Sequence, residues 1–217
     1  MVKLDIFSDP ICPWCYIGKS ALDRALAARP DHPFDIEWHP FQLNPEMPAG
    51  GADRRTYLEA KFGGKEGAVK AYLPVAQAAE AAGLALDLSA IDRVPNTLDA
   101  HRLILWSAIE GHQQTVVDAL FRAYFTEGRD IGDAEVLADL ADSAGMDAAL
   151  IRRLLASDAD RDEIMNRDAA AREMGVQAVP TFMVNRQYAV PGAQSQEVWL
   201  KVIGEITGVE APSTLRH

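Results

Sequence analysis

The chain has very little cysteine: two residues in 217, Cys12 and Cys15. A pair that sparse cannot be the disulfide framework of a small secreted scaffold, so the thiols have another purpose. Positive charge is also short. Twenty-one Lys and Arg face 32 Asp and Glu, a net charge of -11. Such a surface repels phosphate backbones and anionic lipid, and the basic residues form no dense patch, so neither nucleic acid nor a membrane surface is expected as a partner. No apolar run approaches the roughly 18 residues of a membrane span. The opening "MVKLDIFSDP" lacks the continuous apolar core of a secretory leader, which makes a cytoplasmic location the expectation. What remains is an ordinary globular composition, 48% hydrophobic and 24% charged, on a chain long enough to bury a core without staples.

Periodicity divides the chain into three parts. Val2, Leu4 and Ile6 alternate with polar residues as a half-buried strand does. A helical face follows, with Cys15, Gly18, Leu22, Ala25 and Leu26 at spacings of three and four and an end before Pro30. Phe34, Ile36 and Trp38 alternate again up to Pro40, which completes a βαβ unit and puts His39 on the polar phase, toward solvent. From about 53 to 175 almost every segment carries the helical period, giving five or six helices, with Pro74 expected to end or kink one of them. After Gly175 two strands, Thr181 to Val184 and Gln187 to Val190, flank a two-residue turn at Asn185-Arg186, and a last helix carries Val198, Leu200, Val202, Ile203 and Ile206. The expected fold is α/β: βαβ (1–45), an all-helical insertion (about 53–175), then ββα (176–208), with a four-stranded mixed sheet. The tail 209–217 reads as disordered.

The two cysteines stand as Cys12-Pro13-Trp14-Cys15, directly after the first strand and at the head of the first helix. A helix N-terminus stabilises a thiolate through its dipole and its unpaired N–H groups. Pro13 suits the first helical turn, where its missing N–H costs nothing. Cys12 is then expected at the exposed cap as the nucleophile, with Cys15 one turn on, on the buried face, as the residue that resolves a mixed disulfide. Trp14 supplies an apolar rim for a substrate. A structural zinc site would need four ligands, and the five histidines provide neither a second CxxC nor a His-x3-5-His spacing. No metal is expected. His101, on the stripe of Leu98 and Leu105, is expected to be a satisfied core histidine. Asn96 and Thr97 are expected to cap the following helix, and the aromatics of "LFRAYF" to be core.

The stretches "FSDPICPWCYIG", "GVQAVPTFMVN", "NTLDAHRL", "LFRAYFTEGRDIGD" and "AVPGAQ" together resemble the DsbA-like thioredoxin family, and within it the FrnE-like branch of cytoplasmic dithiol-disulfide oxidoreductases and isomerases. The resemblance spans nearly the whole chain. It implies a cis Val179-Pro180 bond packed against the active-site cysteines, with the Val179 backbone pairing to substrate. It implies a redox enzyme with no bound cofactor, reset by glutathione or another dithiol system. Its substrate would be a disulfide-containing protein or a small thiol compound, and the chain a monomer or homodimer. With Trp14 in place of the His of the periplasmic oxidant, a less oxidising pair is expected. Glutathione-using relatives, the kappa-class transferases and chromene-carboxylate isomerases, suggest an alternative, in which Gln194 and Ser195 at the last helix would grip a glutamyl group; capping is the plainer role for Ser195. Those relatives carry Ser where Cys12 stands. A third reading is a redox-sensing binding module without turnover.

Overall fold

The computed structural model describes residues 1–208. Its main sheet has the order β2-β1-β5-β6, from β1 (Val2–Ser8), β2 (Phe34–Pro40), β5 (Thr181–Val184) and β6 (Tyr188–Pro191). β1 pairs parallel with β2 and antiparallel with β5. Because β1 is central, both of its faces are covered. Leu4 and Ile6 are buried on one side, Asp5 and Phe7 on the other, so the strand is more enclosed than its polar-apolar alternation suggests. The first helix, α1 (Pro13–Ala28), and the last, α9 (Gln196–Thr207), pack against each other. α9 carries the apolar residues expected of the last helix, with Trp199 and Ile203 its buried side chains and Val198 exposed.

Between β2 and β5 lie seven helices rather than five or six: α2 (Arg54–Phe62), α3 (Lys65–Ala81), α4 (Leu98–Ile109), α5 (Gln113–Phe125), α6 (Ala134–Ser143), α7 (Ala148–Leu155) and α8 (Arg161–Glu173). The extra break is between α2 and α3. There Gly63 and Gly64 both take positive φ, 75° and 106°, a conformation that glycine adopts without steric cost. Pro74 does not end its helix, which runs on to Ala81. Two short strands, β3 (Ala52–Asp53) and β4 (Arg93–Val94), pair as a ribbon that hydrophobic patterning did not announce, being only two residues each.

Specific contacts fasten the helices to the sheet. Phe121 and Phe125 of α5 stack with Tyr16 of α1 at 5.2 and 5.8 Å, which places the "LFRAYF" aromatics in the core as expected. Lys19 of α1 is buried with its Nζ 2.7 Å from Asp23 and 2.5 Å from Asp118 of α5. Burial alone would lower its pKa, but the two carboxylates outweigh that and raise it. Strand β2 is an edge, and Gln113 covers part of it. Its side chain accepts from the Trp38 N–H at 2.9 Å and donates to the Trp38 carbonyl at 3.1 Å, as a neighbouring strand would.

The hairpin loop has three residues, not two. Asn185 and Arg186 take left-handed φ of 51° and 55°, and Gln187 N–H closes the turn on the Val184 carbonyl at 3.0 Å. Beta pairing therefore resumes at Tyr188, one residue later than the sequence suggests. The expected disorder of 209–217 falls outside the described residues.

Candidate active site

Three segments meet at the end of β1: the start of α1, the turn before β5, and the first two helices of the insertion. Cys12 is the N-cap of α1 and Pro13 its first residue, so the missing proline N–H leaves no bond unmade. The turn is closed by Cys12 N–H donating to the Asp9 carbonyl at 2.9 Å. Opposite, the Val179-Pro180 peptide bond is cis, and the Cys12 thiol donates to the Val179 carbonyl across 3.5 Å. Gly18 lets α1 approach that turn. A Cβ there would sit 3.2 Å from Pro180 Cγ and 3.2 Å from Ala193 Cα, tighter than ordinary contact.

Both thiols are free. Cys15 is 1% exposed, on the buried face with Gly18 and Leu22 as the helical phase predicts. Burial pushes its pKa well above the ordinary thiol value, and the hydrogen bond with Cys12 pushes it further. Cys12 departs from expectation: it is 4% exposed, not an open cap. Its thiol lies against the Val179 carbonyl, and the insertion adds a wall above it. Helices α2 and α3 stand over the end of α1 and enclose a cleft of about 360 Å³ with Cys12 in its lining. Trp14, 37% exposed, contributes to the wall together with Pro13 and Leu43. Across from them are Tyr57, Lys61 and Phe62 of α2 and Tyr72 of α3, and Val179 completes the lining on the sheet side. Lys61 is the one ionic side chain in that lining, a cation in an acidic chain. Its Nζ donates to the Tyr57 hydroxyl at 2.9 Å, and that hydroxyl donates to Asn44 Oδ1.

Beneath the thiols is a carboxylate that sequence reasoning missed. Asp9, in the Ser8-Asp9-Pro10 break, is fully buried. Its Oδ2 accepts from Leu43 N–H at 2.7 Å and its Oδ1 from Ile11 N–H at 3.3 Å, tying the loop after β1 to the loop after β2. Burial raises its pKa to about 7, although those N–H bonds and Thr97 pull the other way. A polar residue closing a strand is ordinarily a turn former, and nothing in the local pattern marks this one as buried.

His101 is buried as expected but not satisfied. Its Nε2 has no hydrogen-bond partner among the described residues and lies 3.9 Å from Asp9 Oδ1, too far for a bond. Burial lowers its pKa to about 4, so it is neutral at pH 7 and the two groups are not an ion pair. Asn96 Oδ1 accepts from Leu98 N–H at 2.9 Å, a cap as expected; Thr97 occupies the N-cap position of α4 without a side-chain cap bond.

The structure does not bring every predicted residue to the cleft. Ser195 caps α9, accepting from Val198 N–H at 3.4 Å, and Gln194 donates to the Pro191 carbonyl at 2.6 Å; neither lines the cleft. His39 is not a free surface residue. It stacks with Phe7 at 5.2 Å and its Nε2 is 2.8 Å from Asp5 Oδ1, because the other face of the sheet is partly covered by α8. Asp5, Glu37 and His39 hold their ligand-type atoms within 4.8 Å of one another. Lys3 lies 2.9 Å from Glu37, and Arg186 lies 3.6 Å from Asp5. With both carboxylates already facing cations, the cluster is accounted for as an ion-pair network.

A mixed four-stranded sheet with a Cys-x-x-Cys at the head of its first helix and a cis-proline turn facing it defines a thioredoxin-like thiol protein with a helical insertion. Residues 3–204 match the DSBA-like thioredoxin domain, and the chain belongs to that family. Among solved structures it is similar to a probable DsbA oxidoreductase of Streptomyces coelicolor, 33% identical over 100% of this chain and 94% of that one, with a TM-score of 0.85. It also resembles the cytosolic disulfide reductase DsbM of Pseudomonas aeruginosa, solved with GSH, at 18% identity over 95% of this chain and 100% of that one, TM-score 0.68. A 2-hydroxychromene-2-carboxylate isomerase matches at 16% identity over 94% and 96%, TM-score 0.70. At the last two identities the likeness is one of fold.

Proposed function

We propose that the protein is a dithiol-disulfide oxidoreductase that works as a disulfide reductase or isomerase, with Cys12 as nucleophile and Cys15 as resolving thiol. The observation that carries this reading is the position of Cys12: at the N-terminus of α1, against the Val179 carbonyl, and in the lining of the cleft under α2 and α3. The Cys12 thiolate attacks one sulfur of a substrate disulfide. That S–S bond breaks, the departing sulfur leaves as a thiolate and takes up a proton, and a mixed disulfide joins Cys12 to the substrate. Cys15 gives up its proton and attacks the Cys12 sulfur, releasing the second substrate thiol and closing Cys12-Cys15. The substrate gains two electrons and two protons, and two glutathione molecules, leaving as glutathione disulfide, or one thioredoxin dithiol return the pair to the reduced form. For isomerisation the substrate's own thiol attacks the mixed disulfide instead, with no net electron transfer.

The raised pKa of Cys15 supports this division of labour, because it keeps the resolving thiol protonated until a mixed disulfide exists. The absence of a charged lining other than Lys61 leaves room for small disulfides and for an extended polypeptide segment alike. The reading places the enzyme in the cytoplasm; no described helix is long and apolar enough to cross a membrane.

The same fold accommodates an isomerase and a reductase, so the fold does not choose between them. Cys12 favours the reductase reading. A glutathione-dependent isomerase activates the thiol of glutathione and has no use for a protein thiol at this place. The discriminating experiment is trapping. Cys15→Ser, incubated with a model disulfide, accumulates a covalent mixed disulfide visible by intact mass, whereas Cys12→Ser accumulates none. Turnover of a model disulfide by Cys12→Ser at the native rate contradicts the proposal, and glutathione-dependent turnover without either cysteine transfers the assignment to the isomerase class.

A further inference from the structure

A second cavity, of about 330 Å³, lies between α8 and the sheet face that α1 does not cover, and it shares no lining residue with the thiol cleft. We propose that it binds a small organic acid with one carboxylate and a flat apolar body. This goes beyond the thiol chemistry and does not depend on it.

The floor is apolar. Phe7 of β1 and Met183 of β5 form it, and Met174, the C-cap of α8, walls it while remaining 63% exposed, a large hydrophobic side chain with little protein cover. Methionine sulfur adapts to a ligand's outline and makes favourable contact with aromatic rings. A concave, mostly apolar site of this volume with a few convergent polar groups has the properties of a small-molecule pocket.

The polar groups select the charge of the occupant. Arg167 and Arg186 stand at the rim in a chain whose net charge is -11. Arg167 uses its Nε on Glu163 at 2.7 Å, and Arg186 holds its Nε 3.6 Å from Asp5. Neither guanidinium spends its Nη groups on a protein acceptor among the described residues. Two forks with unspent donors match the oxygens of a carboxylate. Asp5, hydrogen-bonded to His39 in the same wall, carries the opposite sign, which penalises a dianion such as a phosphate monoester more than a monoanion. Phe7 and His39, stacked on each other at 5.2 Å, add aromatic edges to the lining, against which the body of an aromatic acid packs.

The test is methyl NMR on the full chain with carbon-labelled methionine, whose six Met give six reporters. Naphthoate is the probe and naphthamide its neutral counterpart. The expected result is a saturable shift of the Met174 and Met183 methyls with naphthoate, on the order of tenfold weaker with naphthamide and also in the Arg167→Gln, Arg186→Gln double variant. Both arginines are at the surface, so the variant retains the fold, which unshifted methyls of the four methionines outside the cavity verify. No shift at millimolar naphthoate, equal binding of the amide, an undiminished response in the double variant, or a response confined to the other four methionines would each overturn the proposal.

Discussion

The Cys12 thiol lies 3.5 Å from the carbonyl oxygen of Val179, a residue 167 positions later in the chain. That contact joins the two halves of the divided sheet domain at one atom pair. It also places the thiol between the α1 terminus and the turn before β5, beside the cleft lined by α2 and α3 where the proposed reaction would occur.

Burial of Cys12 under that roof makes its modification depend on reagent size. Iodoacetamide should alkylate Cys12 and leave Cys15 unmodified in the native protein at pH 7, because Cys15 is enclosed and its thiol is held protonated. A bulky maleimide dye should react with Cys12 more slowly, and Phe62→Ala, which opens the α2 side of the cleft, should narrow the gap. Peptide mass mapping after timed quenching gives the two rates. Equal labelling of both cysteines would contradict the geometry.

Lys61 should set the charge preference of the cleft. Replacing it with Gln is expected to slow reaction with a dianionic aromatic disulfide by roughly three- to tenfold at low salt and to leave a neutral disulfide unchanged. Stopped-flow rates at low and high ionic strength separate this from a packing defect, which would slow both substrates and show no salt dependence.

Asp9 should make stability fall with rising pH. Its carboxyl titrates near 3.8 when exposed and at about 7 in the folded protein, so between those values the native state holds a proton that the unfolded state has lost. Stability from this group is complete below about pH 4 and is lost as pH rises through about 7, a span worth a few kcal/mol. Denaturant unfolding across that window should show a downward slope for the native protein and a flatter one for Asp9→Asn. Identical slopes would mean that Asp9 titrates as an exposed carboxylate.

Ser195 is placed as a helix cap. Ser195→Ala should cost on the order of 1 kcal/mol of stability and leave the reactivity of Cys12 toward small disulfides unchanged, since its hydroxyl bonds Val198 N–H and does not face the cleft. A lost response to glutathione with native stability would assign it to ligand binding instead.

Much of this architecture is legible in the residues. The alternation of Val2-Leu4-Ile6 and Phe34-Ile36-Trp38 and the Pro13 start of α1 lead to the observed strands and first helix, while the cis-proline turn at Pro180 is implied by the family resemblance and not by the residues alone. Local pattern fails where a long-range partner decides. Cys12 reads as exposed because nothing within α1 reveals that the Val179 carbonyl lies against its thiol or that Tyr57 and Phe62, some 45 to 50 residues on, share its cleft. Asp9 reads as a turn former because its burial comes from Leu43 and Thr97, which reach it from other segments. His39 sits on the polar phase of an edge strand, and only the packing of α8 turns that phase inward. The roof residues Lys61 and Tyr72 lie in segments whose helical period is clear and whose place in the fold is not.

The account rests on Cys12 and Cys15 cycling between dithiol and disulfide within one chain, and equilibration against a glutathione buffer, read by thiol alkylation and intact mass, tests that directly. It predicts a reversible intramolecular disulfide, two mass units lighter than the dithiol, with a midpoint less oxidising than the strongest periplasmic oxidants. A pair that refuses to close at any ratio, or closes only between chains, would contradict it.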